Sequence, residues 1–219
     1  MAEIIELSAP DLAAMLCSRV CHDLINPVGA MGNGLEALED PEQASSMQDL
    51  AKELVTNASK TALARLEFAR LAYGASSTAG TDFDTRECER VAKLLFEVEK
   101  ADLDWQISPA MVPKNKGKLL MNMLIIAAGS VPRGGMVKVS FHGEAGKEEI
   151  EIIASSDPEK KQKTLIPSGV QELMAGNPEN GVDARSIQPF YTGLLARLSD
   201  MDLAMGLDGA TLKFTASPK

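Results

Sequence analysis

Apolar residues recur along the first third of the chain in steps of three and four: Leu12, Leu16, Val20, Leu24, Val28, Met31, Leu35 and Leu38. Such steps mark one face of an α-helix. The helix has a start signal in "SAPDLAAML", with Ser8 as N-cap, Pro10 in the first turn and Asp11 at the third position. A second stripe runs Met47, Leu50, Leu54, Ala58, Ala62, Leu66, Ala69, Tyr73. Between them "EDPEQ" supplies a break and a restart, with Asp40 as cap, Pro41 at the first helical position and Gln43 completing a capping box. The pattern predicts two helices of roughly 30 residues, or ~45 Å, each. A short turn makes them antiparallel neighbours.

One hairpin buries only one stripe per helix. Two hairpins side by side bury both in a four-helix bundle, so the economical expectation is a homodimer through residues 8–74. The alternative is that the hairpin packs on the rest of its own chain.

After the hairpin the pattern changes. "GASSTAGTD", Gly74 to Asp82, is small and polar without periodicity and reads as a linker. The expected division is a helical hairpin over 1–75, a linker over 76–82 and a second domain over 83–219. "DTRECERVAKLLFEVEK" is a helix capped by Asp84, with Glu87 three residues on. "LDWQIS" is strand-like, and Lys116 to Ala128 is an apolar helix followed by the turn "VPRGG". "MVKVSFHG" and "EEIEIIAS" alternate and predict a hairpin. Pro167–Ala175 and Ile187–Leu203 are further expected helices, and "ATLKFTAS" a closing strand. Strands and helices mix without a βαβ rhythm, which predicts an α+β sandwich, one mixed sheet with helices on one face.

Composition narrows the partners. The chain has 219 residues, 45% of them hydrophobic, enough for a core without disulfides or metal. Its net charge of −9 argues against a nucleic-acid footprint and suits protein partners. The first apolar stretch is broken by Glu3, Glu6 and Asp11, unlike a signal peptide, and no run approaches the ~18 apolar residues of a membrane helix. Cys17, Cys21 and Cys88 lack metal-site spacing and read as reduced thiols of a cytoplasmic protein.

The chemistry gathers at "CHDLINP", Cys21 to Pro27. His22 lies about 160° round the helix from both Val20 and Leu24, so its ring faces away from the stripe. Its own face carries Ser18, Arg19, Asn26 and Gly29, mostly small, so a partner can approach closely. Asp23 can hold the imidazole in one tautomer and accept its proton, leaving the other nitrogen as nucleophile. Pro27 has no N–H, releases the carbonyl of Asp23 and loosens the helix there. Gly29, Gly32 and Gly34 continue that weakness. His142, on a strand before a glycine turn, reads as structural.

"HDLINP" resembles the phosphoacceptor box of sensor histidine kinases: His, acid, aliphatic, variable, Asn or Thr, Pro. That family places the box on the first helix of a dimeric hairpin. The resemblance implies that His22 is phosphorylated, Asp23 is base or orienting acid, and Asn26 and Pro27 shape the helix. The second domain resembles the kinase ATP-binding domain in layout, with its nucleotide residues lost. The magnesium-binding Asn falls on Ile126, before Ala127, and Asn122 matches only the upstream Asn of that box. Ala154 and Ser156 replace the adenine-reading Asp and the first Gly of its motif. "QPFYTG" puts Phe190 and Tyr191 where glycines would let amides approach phosphate.

This combination resembles the ChpT histidine phosphotransferases, kinase-like dimers with a degenerate ATPase domain that move phosphate between receiver aspartates. The resemblance implies a homodimer, no ATP binding, no cofactor held by the chain, and Mg²⁺ brought by the receiver. It further implies a CckA-like hybrid kinase upstream and CtrA-like and CpdR-like response regulators downstream, in cell-cycle control. Arg19 is placed to steady the transferring phosphoryl group, with a plain surface arginine as its equal rival. With the turn near Pro41, Asn57 to Thr61 on helix two should pass beside His22. The expected docking surface is therefore Ser18, Arg19, Asn26, Pro27, Gly29 and Asn33, with Asn57 and Lys60 across the hairpin. Two other readings stay open: an atypical histidine kinase, and a scaffolding dimer whose His22 is never modified.

Overall fold

A computed structural model describes residues 4–39, 45–74, 82–144, 147–157, 159 and 163–219. The expected cap and restart at Asp40, Pro41 and Gln43, and most of the expected linker, lie outside the described residues.

Helix α1 spans Ala9–Glu39 and α2 spans Ser45–Ala72. The start signal of α1 forms as the sequence implies. Ser8 Oγ accepts from the Asp11 amide at 3.2 Å and donates to the Asp11 carboxylate at 2.5 Å. α1 and α2 pack closely because Gly34 faces α2: a Cβ there would lie 2.6 Å from Val55 Cγ2 and 3.2 Å from the Ala51 carbonyl.

The remaining elements are β1 Asp82–Asp84, α3 Thr85–Phe96, β2 Ala101–Trp105, β3 Met111–Pro113, α4 Lys114–Gly129, β4 Gly135–His142 and β5 Glu149–Ser156. They end with α5 Val170–Ala175, α6 Ile187–Leu198, β6 Met201–Asp208 and β7 Thr211–Pro218. A five-stranded sheet runs β2-β4-β5-β7-β6, parallel only between β2 and β4, and β1 pairs with β3. One face is apolar throughout: Val137, Val139, Ile150, Ile152, Ala154, Leu212, Phe214 and Ala216 are fully buried. Helices α3 and α4 pack over that face. The α+β sandwich expected from the pattern is therefore the architecture of the second domain.

Two elements differ from the sequence expectation. The helix expected to run to Leu203 stops at Leu198, and "MDLAMGLD" is strand β6 instead. The chain reverses at Asp200, whose φ is +52°, and β6 turns into β7 through Gly209 and Ala210, the former at φ +59°. Glycine at the first central position of a two-residue turn is a hairpin signal that the helical periodicity of the preceding residues masked. The helix expected from Pro167 begins only at Val170.

The hairpin is divided along its length. Its base joins the second domain: Phe68, Leu71 and Ala72 of α2 share one continuous core with α3, α4 and the sheet, and Leu12 and Leu16 of α1 pack against it. Towards the tip the same stripes are open, with Val28, Leu35, Leu50 and Leu54 each about half exposed. Self-packing therefore accounts for the base of the hairpin and leaves its outer half uncovered.

Candidate phosphoacceptor site

α1 presents His22 outwards, with its side chain 57% exposed, as the angular argument from Val20 and Leu24 requires. The Asp23 carboxylate faces the near ring nitrogen, Oδ1 lying 3.4 Å from His22 Nδ1. Nε2 is thereby left as the ring nitrogen without a protein partner in that pair. Ser18, Asn26, Gly29 and Asn33 are exposed on α1 around it, while Pro27 is buried against α2.

Arg19 does not sit free beside the ring. Its Nε donates to Asp23 Oδ2 at 2.8 Å and its Nη1 to the Arg185 carbonyl at 3.1 Å. It orients Asp23 and ties α1 to the loop before α6. That loop is ordered by Asp183, whose carboxylate accepts from Ser186 and the Arg185 amide and is held below the usual carboxylate range by those bonds.

The hairpin register corrects one expectation. Arg65, not the Asn57–Thr61 segment, lies level with Asp23, its Nη1 donating to the Asp23 carbonyl at 2.8 Å. Gly34 likewise faces Ala51 and Val55. Lys60 and Asn57 therefore lie five and eight residues from Arg65 towards the hairpin tip, or ~8 and ~12 Å. Both are exposed, but they are not across from His22.

Behind Asp23, a cavity of about 460 Å³ separates the hairpin from the second domain. Arg19, Asp23, Arg65, Tyr73, Glu99 and Lys100 give it its polar lining. Burial pushes the Glu99 carboxyl above its usual range, with Arg65 pulling it down and Asp23 pushing it up. Burial also raises the Tyr73 hydroxyl, with Arg19 opposing and Asp23 adding to the shift. Of this group the sequence singled out only Arg19 and Asp23. Arg65, Tyr73 and Glu99 carry no motif, and only the hairpin register and the docking of the second domain bring them here.

Ile126, Ala154, Asn122, Phe190 and Tyr191, the positions that the resemblance compares with a nucleotide site, all take part in packing. Ile126 and Ala154 are buried in the apolar core. Asn122 is fully buried. Its amide donates to the Lys118 carbonyl at 2.9 Å and, more weakly at 3.4 Å, to the Ala72 carbonyl at the end of α2, and its side-chain oxygen accepts from Gln188 at 3.2 Å. Phe190 packs with Ile187 and Leu173 against Ile5, Leu7, Leu12, Met15 and Leu16. Tyr191 meets Tyr73 edge-on, ring centroids 6.0 Å apart. Phe190 and Tyr191 form the seam between α6 and the hairpin. Among the described residues no cluster of three or more His, Cys, Asp or Glu is placed to hold a metal ion, and no helix is long and apolar enough to cross a membrane.

The chain is thus a helical hairpin bearing an exposed His-Asp pair, joined to an α+β domain. Residues 85–211 match the model of the histidine phosphotransferase C-terminal domain. Protein phosphotransferase ChpT of Brucella abortus (strain 2308) is 40% identical over 213 residues, covering 97% of this chain and 98% of that protein. A bacterial phosphotransferase solved at 1.7 Å superposes with a TM-score of 0.88 at 38% identity, covering 98% of this chain and 100% of that one. Similarity to the Acinetobacter baumannii histidine kinase AdeS is far more remote, 12% identity with a TM-score of 0.43. The chain belongs to the histidine phosphotransferase family.

Proposed function

We propose that this chain is a phosphorelay intermediate that carries phosphate on His22 between receiver aspartates. The observation that supports it most directly is the exposed His22 ring with Asp23 at Nδ1. The Nε2 lone pair attacks the phosphorus of an aspartyl phosphate. A P–N bond forms, the acyl P–O bond breaks, and the receiver carboxylate leaves. The ring keeps its Nδ1 proton and becomes cationic, and the Asp23 carboxylate beside it stabilises that charge. Reversal onto a second receiver completes the relay. Mg²⁺ belongs to the receiver in this scheme, and this chain supplies mainly positioning.

The receivers in this reading belong to a CckA-like hybrid kinase and to CtrA-like and CpdR-like regulators, in the cytoplasm. They dock on Ser18, Asn26, Gly29 and Asn33 around His22, with Asn57 and Lys60 at the periphery of the footprint. The chain works as a homodimer, which the half-exposed Val28, Leu35, Leu50 and Leu54 support. It acts without ATP, because Ile126, Ala154 and Phe190 are committed to core and seam.

The test is incubation with a phosphorylated receiver. Wild-type protein should acquire acid-labile, alkali-stable phosphate and His22→Ala none. Uptake by His22→Ala, or none by the wild type across several receivers, sinks the proposal and leaves a scaffold. Sedimentation at micromolar concentration tests the dimer separately, and a monomer refutes it.

A further inference from the structure

Pro27 deletes one hydrogen bond from α1, and the neighbouring helix replaces it. In an α-helix the Asp23 carbonyl accepts from the N–H four residues on, and a proline there has none to give. α1 nevertheless runs unbroken from Ala9 to Glu39. The substitute donor is Arg65 Nη1, 2.8 Å from the Asp23 carbonyl and 42 residues away in sequence.

The placement is specific. The α1 carbonyl that Arg65 holds is the one that Pro27 leaves free. It belongs to the residue whose carboxylate faces His22 Nδ1. The same residue's side chain is gripped by Arg19 Nε at 2.8 Å. Asp23 is therefore fixed at both ends, main chain by α2 and side chain by α1. Arg65 also lines the cavity against the second domain with Glu99, so its charge is partly withdrawn from water, where a charge-assisted bond is stronger.

We infer that Arg65 is a positioning residue for phosphotransfer at His22: it stands in for the N–H that Pro27 lacks and holds the backbone beneath the His22-Asp23 pair. The inference rests on reading His22 as the phosphoacceptor. It makes Pro27 and Arg65 a matched pair, the proline removing a donor and the arginine returning one from a helix that the second domain braces.

The experiment is single-turnover phosphate uptake from a phosphorylated receiver, by wild type, Arg65→Met, Arg65→Lys, Pro27→Ala and the Arg65→Met/Pro27→Ala double variant. Methionine keeps the apolar stem and removes every donor, lysine keeps a donor and the charge, and Pro27→Ala restores a backbone N–H at position 27. A displaced reacting group loses rate rather than binding, so Arg65→Met should slow uptake about 10-fold at saturating receiver and change the half-saturating concentration less than about twofold. Arg65→Lys should recover to within about threefold of wild type, and in the Pro27→Ala background the loss from Arg65→Met should fall below about twofold. If Arg65→Met does not fold, Arg65→Leu, which also has no donor, takes its place with the same criteria. An active wild type whose Arg65→Met variant matches it, or loses as much rate with Pro27→Ala as without, overturns the inference and leaves the His22 reading intact. An inert wild type overturns the His22 reading first.

Discussion

Phe190→Ala tests whether the start of α6 is an intramolecular joint. Phe190 is 3% exposed and lies between Leu173 and Ile187 of the second domain and Ile5, Leu7, Leu12, Met15 and Leu16 at the start of the chain. Removing a buried phenyl ring costs about 3–5 kcal/mol, the lost burial plus the cavity left behind. For a chain of this size each kcal/mol shifts the melting temperature by roughly 2–4 °C, so a fall of ~10 °C is expected. The loss should also be local. Hydrogen exchange should quicken in residues 4–16 and in α6, while β4, β5 and β7 keep their protection, because their inward residues belong to the other core. Mg-ATP should not bind the variant, since Ile126 and Ala154 still fill the positions that would hold metal and adenine. A melting temperature within ~1 °C of wild type would refute the joint. Nucleotide binding gained by this one substitution would refute the view that the site was lost at several independent positions.

Two further perturbations probe the hairpin and its cavity. Gly34→Val places two branches where even a Cβ would meet Val55 Cγ2 at 2.6 Å, so the helices must part, and denaturant titration should record a loss of about 1–3 kcal/mol; unchanged stability would mean that α1 and α2 do not approach closely there. Glu99→Gln tests the cavity by pH. Burial is the largest influence on Glu99 and raises its folded pKa, so the folded state holds the proton more tightly. The sign follows: the Glu99 contribution favours folding at low pH and is lost as pH rises from the unfolded pKa through the folded one. Glutamine removes the charged form, so the variant should melt ~1–3 °C above wild type at neutral pH, the gap closing near pH 4. A variant less stable at neutral pH would mean that the attraction of Arg65 outweighs burial.

The sequence carried the local features and missed the distant ones. Ser8 and Asp11 announce the start of α1, and the alternation in "MVKVSFHG" and "EEIEIIAS" announces β4 and β5, because caps and pleats act between near neighbours. The outward turn of His22 follows from Val20 and Leu24 alone. β6 was hidden because "MDLAMGLD" sits directly after a helix and continues its spacing, and only the backbone reversal at Asp200 separates them. The facing of α1 and α2 was misplaced because counting from Pro41 assumes where the turn is centred, and an error of a few residues doubles across a hairpin. Arg65 and Glu99 were invisible for a related reason: each acquires its neighbours only through packing between segments far apart in sequence.

The stripes of α1 and α2 were read as serving one purpose, and the structure assigns them two. At the base they face the second domain, where Leu12, Leu16, Phe68 and Leu71 meet apolar partners of their own chain. Towards the tip Val28, Leu35, Leu50 and Leu54 face outwards. His22, Asp23 and Arg65 lie at the change between the two regions, next to the cavity that the second domain closes. Phe190, Tyr191 and Asn122 occupy the joint with buried contacts, so the second domain is not loosely attached to the hairpin. A fixed second domain braces the register that brings Arg65 to the Asp23 carbonyl. The contacts of Phe190, Tyr191 and Asn122 at this joint therefore also stiffen the support of the His22-Asp23 pair.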